Sequence, residues 1–148
     1  TPLGMLACNT QAPDEGNMYL IGKVGSPDLK ERFLKPLVSG EARSAFFMTE
    51  PAELQGAGAD PSMMITTCRK DGNHWVINGK KCFITGAEGA KVGIVMAKSD
   101  DGACMFLVDL PNPAIACDDY IVMAFFNFWR AVFARPRFQA PHRPVPCH

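Results

Sequence analysis

Glu50, Asp60, His74 and the pair Lys80-Lys81 are the side chains in the middle of this 148-residue sequence that invite a chemical reading. Glu50 and Asp60 flank a glycine-rich turn, Gln55-Gly56-Ala57-Gly58-Ala59-Asp60-Pro61, and are placed to pair across it. Acidic residues beside turns more often cap or stay solvated. Lys80-Lys81 offers a phosphate two ammonium groups, although a charged hairpin strand is commonplace. His74 sits beside Trp75 in a strand-like run, where a lone histidine is more often a packing residue than a base; His142 and His148 fall in a proline-rich tail. No nucleophile-plus-base pattern emerges. The turn is not a dinucleotide fingerprint, which needs three spaced glycines opening a helix after a strand, and it has no Gly-Lys-Ser/Thr. What it offers is backbone that a ligand can approach closely.

The elements that must position these residues change character along the chain. Before Gly40 the pattern is helical. Asp14 is a candidate cap for a helix through Met18, Leu20, Ile21 and Val24, with Gly25 stopping it in a left-handed conformation. Ser26 is an N-cap candidate, Pro27 suits the first helical position, and Asp28 and Glu31 face the positive end of the dipole. Leu29, Phe33 and Leu37 form one apolar stripe, and Pro36 is placed to kink or end this second helix. After Gly40 short strands take over. Residues 43–49 have strand composition, 63–70 alternate, Asp71-Gly72 is a turn signal, and 75–77 form a short apolar strand. Asn78-Gly79 reads as a type I′ hairpin turn, with 80–85 as the returning strand. Residues 92–97 and 104–110 pair around Ser99-Asp100-Asp101-Gly102. The expected fold class is α+β: short N-terminal helices, then a small antiparallel β-barrel or sandwich, then an irregular C-terminal tail.

Bulk properties bound the function. Apolar residues make up 47%, enough for a real core. Lysine plus arginine equals aspartate plus glutamate at 15 each, which argues against a nucleic-acid binder. The six cysteines show no C-x-x-C spacing, which argues against a zinc site, and most lie in apolar or strand-like settings. With no secretory leader visible, reduced thiols in a bacterial cytoplasm or mitochondrial matrix are expected, not secretion. No apolar run reaches the roughly 20 residues of a transmembrane span.

Taken as a series, Phe46-x-Met48-Thr49-Glu50-Pro51, Gly58-x-Asp60, and Val76-Ile77-Asn78-Gly79-x-Lys81-x-Phe83-Ile84-Thr85-Gly86 resemble the middle β-domain of the flavin-dependent acyl-CoA dehydrogenases. Upstream, Pro13-Asp14-x-Gly16-Asn17-Met18 and Lys30-Glu31-Arg32-x-Leu34-x-Pro36-Leu37 resemble the end of that family's N-terminal helical domain. The resemblance implies 1–41 as the end of the helical domain, 42–115 as the middle β-domain, and 116–148 as an atypical aromatic, then proline- and arginine-rich tail. It implies FAD as cofactor, with Phe46, Met48 and Thr49 along the flavin ring and Phe83, Ile84 and Thr85 covering it near its reactive nitrogen. A planar, electron-poor ring wants an apolar face, and its polar edge wants hydroxyl and amide donors. The loop usually reads Gly-Ser-Asp, with the serine on the substrate's pantetheine arm. Gly58-Ala59-Asp60 lacks that hydroxyl, so Gly58 and Ala59 are carried over as backbone contacts only. Extra residues lie around 53–56.

The implied activity is α,β-desaturation of an acyl-CoA thioester, with electrons passed to an electron-transfer flavoprotein, by an enzyme that is a homo-oligomer in its full-length relatives. The carboxylate that takes the α-proton lies in a C-terminal helical bundle in most members, and the resemblance fades after Ile115. The chain therefore reads as a fragment, truncated or altered near that point, with no catalytic residue of its own and little or no turnover. The competing reading is a non-catalytic β-domain used for binding or assembly, with the aromatic run 120–129 as its contact segment.

Overall fold

The computed structural model describes residues 11–51, 58–112, 115–116, 124–126 and 130–131. The chain begins with α1 (Asp14–Val24), followed by α2 (Pro27–Leu29), a π-helical turn (Lys30–Leu34) and α3 (Lys35–Val38). Asp14 does not cap α1. Pro13 occupies the N-cap, and no side chain there bonds the helix end. Asp14 instead turns inward and binds the start of the sheet. Its Oδ1 accepts from the Ser44 amide and hydroxyl, both at 2.6 Å, and its Oδ2 from Arg43 Nη1 at 3.0 Å. Asn17, one turn on, donates to Ser44 Oγ at 2.9 Å. A buried carboxylate needs such partners, and β1 supplies them.

Gly25 ends α1 as expected but for a different reason. Its φ is −69°, not left-handed, and a Cβ there would lie 2.5 Å from the Ile21 carbonyl oxygen. Ser26 caps the next helix, its Oγ accepting from the Leu29 amide at 3.4 Å. Pro36 neither ends nor breaks that helix. The turn before it widens to the π form, the Lys35 amide reaching back to the Lys30 carbonyl. Proline lacks an amide and presses on the preceding turn, and a wider turn relieves that pressure. Phe33 and Leu37 carry the predicted stripe into the core, at 1% and 0% exposure.

The sheet is built from β1 (Ser44–Phe47), β2 (Thr67–Asp71), β3 (His74–Lys81), β4 (Val92–Ser99), β5 (Gly102–Asp109), β6 (Ile115–Ala116), β7 (Ala124–Phe126) and β8 (Arg130–Ala131). A short 3₁₀ turn (Pro61–Met63) precedes β2, which therefore starts later than residue 63. The strand order is β1-β4-β2-β3-β7-β6, with β5 on β4 and β8 on β3. The expected class holds, helices followed by a curled small β-domain, but the pairing is mixed: β1 and β2 each run parallel to β4. β4 and β5 form the predicted hairpin, in register from Val92↔Asp109 to Ser99↔Gly102.

β4 is buried on both faces, which is why residues 92–97 read as a continuous apolar run. Val92 and Ile94 meet Ile21, Phe33 and Leu37 of the helices, while Val95 and Ala97 join Phe47, Ile77, Phe106 and Val108 inside the sheet. Arg32 of the π turn pairs with Asp109 at the end of β5, tying the helical layer to the sheet at its rim.

Asn78-Gly79 is not a turn. β3 runs straight through it, from His74 to Lys81, with Asn78 opposite Thr67 and Gly79 opposite Phe126. The hairpin that does form joins β2 to β3 around Gly72-Asn73, with Gly72 at φ +57°. Gly79 serves close approach rather than a turn: a Cβ there would lie 2.3 Å from Thr66 Oγ1. The segment beyond 115, expected to leave the sheet, returns to it, since β7 and β8 both pair antiparallel with β3. The rest of the 116–148 tail and the 53–56 insertion lie outside the described residues. Among the described residues, no helix is long and apolar enough to cross a membrane.

Candidate active site

β1 ends at Phe47 and β3 at Lys81, and the chain beyond each end comes together in one place. The Cys82 amide donates to the Thr49 carbonyl at 3.0 Å, so the two segments run side by side past their strands. The turn after β1 joins them, the Glu50 amide bonding the Gly58 carbonyl at 3.0 Å. Gly58 has φ +61° and Ala59 is exposed. Thr49, Phe83, Thr85, Gly58 and Ala59 thus belong to linked segments, although 36 residues separate the first and third in sequence.

Phe83 is the conspicuous residue of this group. It is 70% exposed and has φ +56°, the one non-glycine positive φ among the described residues. An aromatic side chain gains nothing from water, and a left-handed backbone costs an L-residue about 1–2 kcal/mol. Thr85, two residues on, is also exposed. The residue between them, Ile84, points the other way and is buried in the sheet core at 5% exposure. Phe46 is half-buried in the layer between sheet and helices, and Met48 and Thr49 are half-buried at its edge. At this edge the Phe83 and Thr85 side chains are therefore exposed, while that of Ile84 is turned into the core.

Behind this surface lies a buried ion pair. Lys81 Nζ donates to Glu50 Oε1 at 2.9 Å and to the Met48 carbonyl at 3.0 Å. The Glu50 carboxylate also accepts from the Ile65 amide at 2.7 Å and the Thr66 amide at 2.9 Å. Burial works to raise the Glu50 pKa, but the Ile65 and Thr66 amides and the Lys81 ammonium together hold it below the ordinary glutamate value. Burial pushes Lys81 below its ordinary value, against the opposing pull of Glu50.

Glu50 therefore pairs with Lys81 and not with Asp60, which is exposed and accepts from the Ser62 amide at 2.9 Å and hydroxyl at 2.7 Å, capping the 3₁₀ turn. Lys81 meets no solvent and is not a surface phosphate binder. A sequence signal for its burial existed: Lys81 shares the inward parity of Trp75 and Ile77 along β3. His74 lies at the far end of β3, away from these strand ends, opposite Asp71.

Among the described residues, Cys68, Cys82 and Cys104 form no disulfide with one another. Burial pushes the Cys68 thiol up to about 12, with the Cys104 thiol beside it adding to the shift. No group of three or more His, Cys, Asp or Glu is arranged to hold a metal among the described residues.

Comparisons with known proteins bear on the family and the fold. The family described as "Acyl-CoA dehydrogenase, middle domain" matches residues 45–122. The chain is 43% identical over 106 residues to the 3-(aryl)acrylate reductase of Clostridium sporogenes, covering 68% of this chain and 26% of the reductase. It is 36% identical over 106 residues to the human mitochondrial short-chain specific acyl-CoA dehydrogenase, covering 67% of this chain and 25% of that protein. The structure of a glutaryl-CoA dehydrogenase from Mycobacterium smegmatis in complex with FADH2 superposes with a TM-score of 0.70 at 30% identity, over 78% of this chain and 31% of that one. The chain thus spans about a quarter of the length of these two curated relatives. The match extends past Ile115 and takes in the strand ends, the loop between them and the exposed face at Phe83. Through this middle domain, the chain belongs to the acyl-CoA dehydrogenase family.

Proposed function

We propose that this chain contributes the flavin- and thioester-facing part of an FAD-dependent acyl-CoA dehydrogenase. The observation that carries the reading is Phe83, exposed at 70% in a left-handed conformation beside the exposed Thr85. Strain and apolar exposure held together at strand ends are accounted for by a planar ligand that covers them. The exposed groups suit a ring with one apolar face and one polar edge. Phe83 supplies an apolar surface, the Thr85 hydroxyl and the backbone around Ile84 supply polar groups at the edge, and Thr49 and Met48 flank them from β1. Phe46 supports this edge from the layer beneath. The flavin, when bound, supplies the acceptor for the β-hydride of the acyl chain.

Gly58 and Ala59 present backbone, without a hydroxyl, to the substrate's pantetheine arm. Substrate is an acyl-CoA thioester, and the electrons pass on to an electron-transfer flavoprotein. The boundaries 1–41, 42–115 and 116–148 remain part of this proposal, as do a homo-oligomeric full-length protein and a bacterial cytoplasmic or mitochondrial matrix location. The base that takes the α-proton is placed by the family resemblance in a C-terminal bundle, so the 148-residue chain alone is expected to give little or no turnover.

Visible spectroscopy during FAD titration tests the reading. Saturable, shifted flavin absorbance that weakens on Thr85→Ala supports it. A folded chain that takes up no FAD contradicts it. Substrate-dependent dye reduction by the purified chain would overturn the assignment of the base to another part of the protein.

A further inference from the structure

Glu50 and Lys81 are buried to 2% and 0% side-chain exposure. Removing two charges from water is costly, and packed apolar residues of similar volume often serve stability as well or better. Stability alone therefore does not explain the pair. Its distinctive effect is geometric. Through four hydrogen bonds it fixes the Met48 carbonyl, the Ile65 amide, the Thr66 amide and the end of β3 relative to one another. Two of those points are one residue away from the contact that joins the candidate site, the Cys82 amide on the Thr49 carbonyl. Thr66, itself fully buried, also packs against Gly79, two residues before Lys81, in a contact that only glycine permits.

We propose that the Glu50–Lys81 pair is the positioning element of the flavin-facing site, holding residues 48–49 and 82–85 at the spacing a planar ring requires; this rests on the flavin reading above. An ammonium can bind a carboxylate and a carbonyl at once, and a carboxylate can take two amides and an ammonium at once. Neither a methionine nor a glutamine reproduces that set. The pair thus trades solvation for a fixed geometry, and the beneficiary is the exposed surface beside it.

The test compares wild type, Lys81→Met and the double variant Glu50→Gln/Lys81→Met, each followed by thermal melting, FAD titration and amide hydrogen exchange. Lys81→Met strands the Glu50 charge, so it lowers stability. The double variant removes both charges and recovers most of that stability. The proposal expects FAD affinity in the double variant to stay about tenfold or more below wild type, with the bound-flavin band shape altered. It also expects faster exchange at the Cys82 amide but not in β4. A merely structural pair predicts that affinity recovers along with stability, and that result overturns the proposal. Unchanged Cys82 exchange in the double variant overturns it too. Should Lys81→Met fail to fold, the double variant alone decides. Wild-type chain that binds no FAD contradicts the flavin reading itself and the positioning role with it. Wild-type binding with unaltered binding by the double variant contradicts the positioning role only.

Discussion

At the scale of single residues, the recurrent theme is buried polar groups whose partners are far away in sequence. Asp14 satisfies Ser44 and Arg43, and Glu50 satisfies Lys81, Ile65 and Thr66. The Glu50 carboxyl is held below its ordinary value of 4.5 in the fold. A folded-state pKa below the unfolded one gives stability that is present above the unfolded pKa and lost as pH falls through the folded pKa. Glu50→Gln should therefore flatten the acid limb of the stability curve below about pH 4.5, as read by urea melts across pH. Cys68 has the opposite sign. Its thiol is pushed from 9.0 up to about 12, so its contribution is intact below pH 9 and fades between 9 and about 12, where the unfolded thiol ionises first. Cys68 should accordingly resist alkylation in the native chain at pH 8, while Cys104, half-buried, reacts faster; mass spectrometry of iodoacetamide adducts checks the order.

Residue-level reading of the sequence succeeded where the cause was local. Ser26 and Pro27 start a helix because a side-chain oxygen and a fixed φ do so on their own. Asp14 and Asn78-Gly79 misled for one shared reason. Asp14 has the chemistry of a cap and Asn78-Gly79 that of a turn, but Ser44 and Thr66 reach them from elsewhere in the chain and redirect both.

At the scale of elements, helices and sheet are held together by one apolar layer and a thin polar rim. Phe33 is 1% exposed between Ile21, Leu37 and Ile94. Phe33→Ala should cost about 3–5 kcal/mol, whereas Arg32→Ala, which removes a rim pair exposed at 51% and 62%, should cost less than about 1 kcal/mol. Chemical denaturation separates the two. Gly79→Ala should destabilise by roughly 1–3 kcal/mol because its Cβ meets the fully buried Thr66 side chain, a loss that chemical denaturation also reads. The β4–β5 hairpin was legible in the sequence because β4 is apolar on both faces and Ser99-Asp100-Asp101-Gly102 marks its turn. The parallel pairing of β1 and β2 with β4 was not, since it depends on crossovers that no local pattern records.

For the whole molecule, the fold brings the ends of β1 and β3 to one edge and leaves an aromatic residue strained and uncovered there. The positions expected to face a flavin were legible only as a series of motifs. Their arrangement, with Phe83 and Thr85 outward and Ile84 inward, reverses the inward parity of Trp75, Ile77 and Lys81 along β3, and the left-handed backbone at Phe83 marks the break. The buried pair that sets this edge was half legible: Glu50 and Lys81 each drew notice as charged residues, but not as partners. The domain stores strain where a ligand would cover it, and that exchange can be measured directly.

The most direct measurement is FAD titration and thermal melting of Phe83→Gly beside wild type. Glycine accepts φ +56° without penalty, so the variant should be more stable, by up to about 1–2 kcal/mol less the entropic cost of glycine. It should also bind FAD at least about tenfold more weakly, because the face for the ring is gone. A more stable chain with weaker flavin binding is the predicted outcome. Unchanged FAD affinity in Phe83→Gly, or no FAD uptake by folded wild type, would contradict the account.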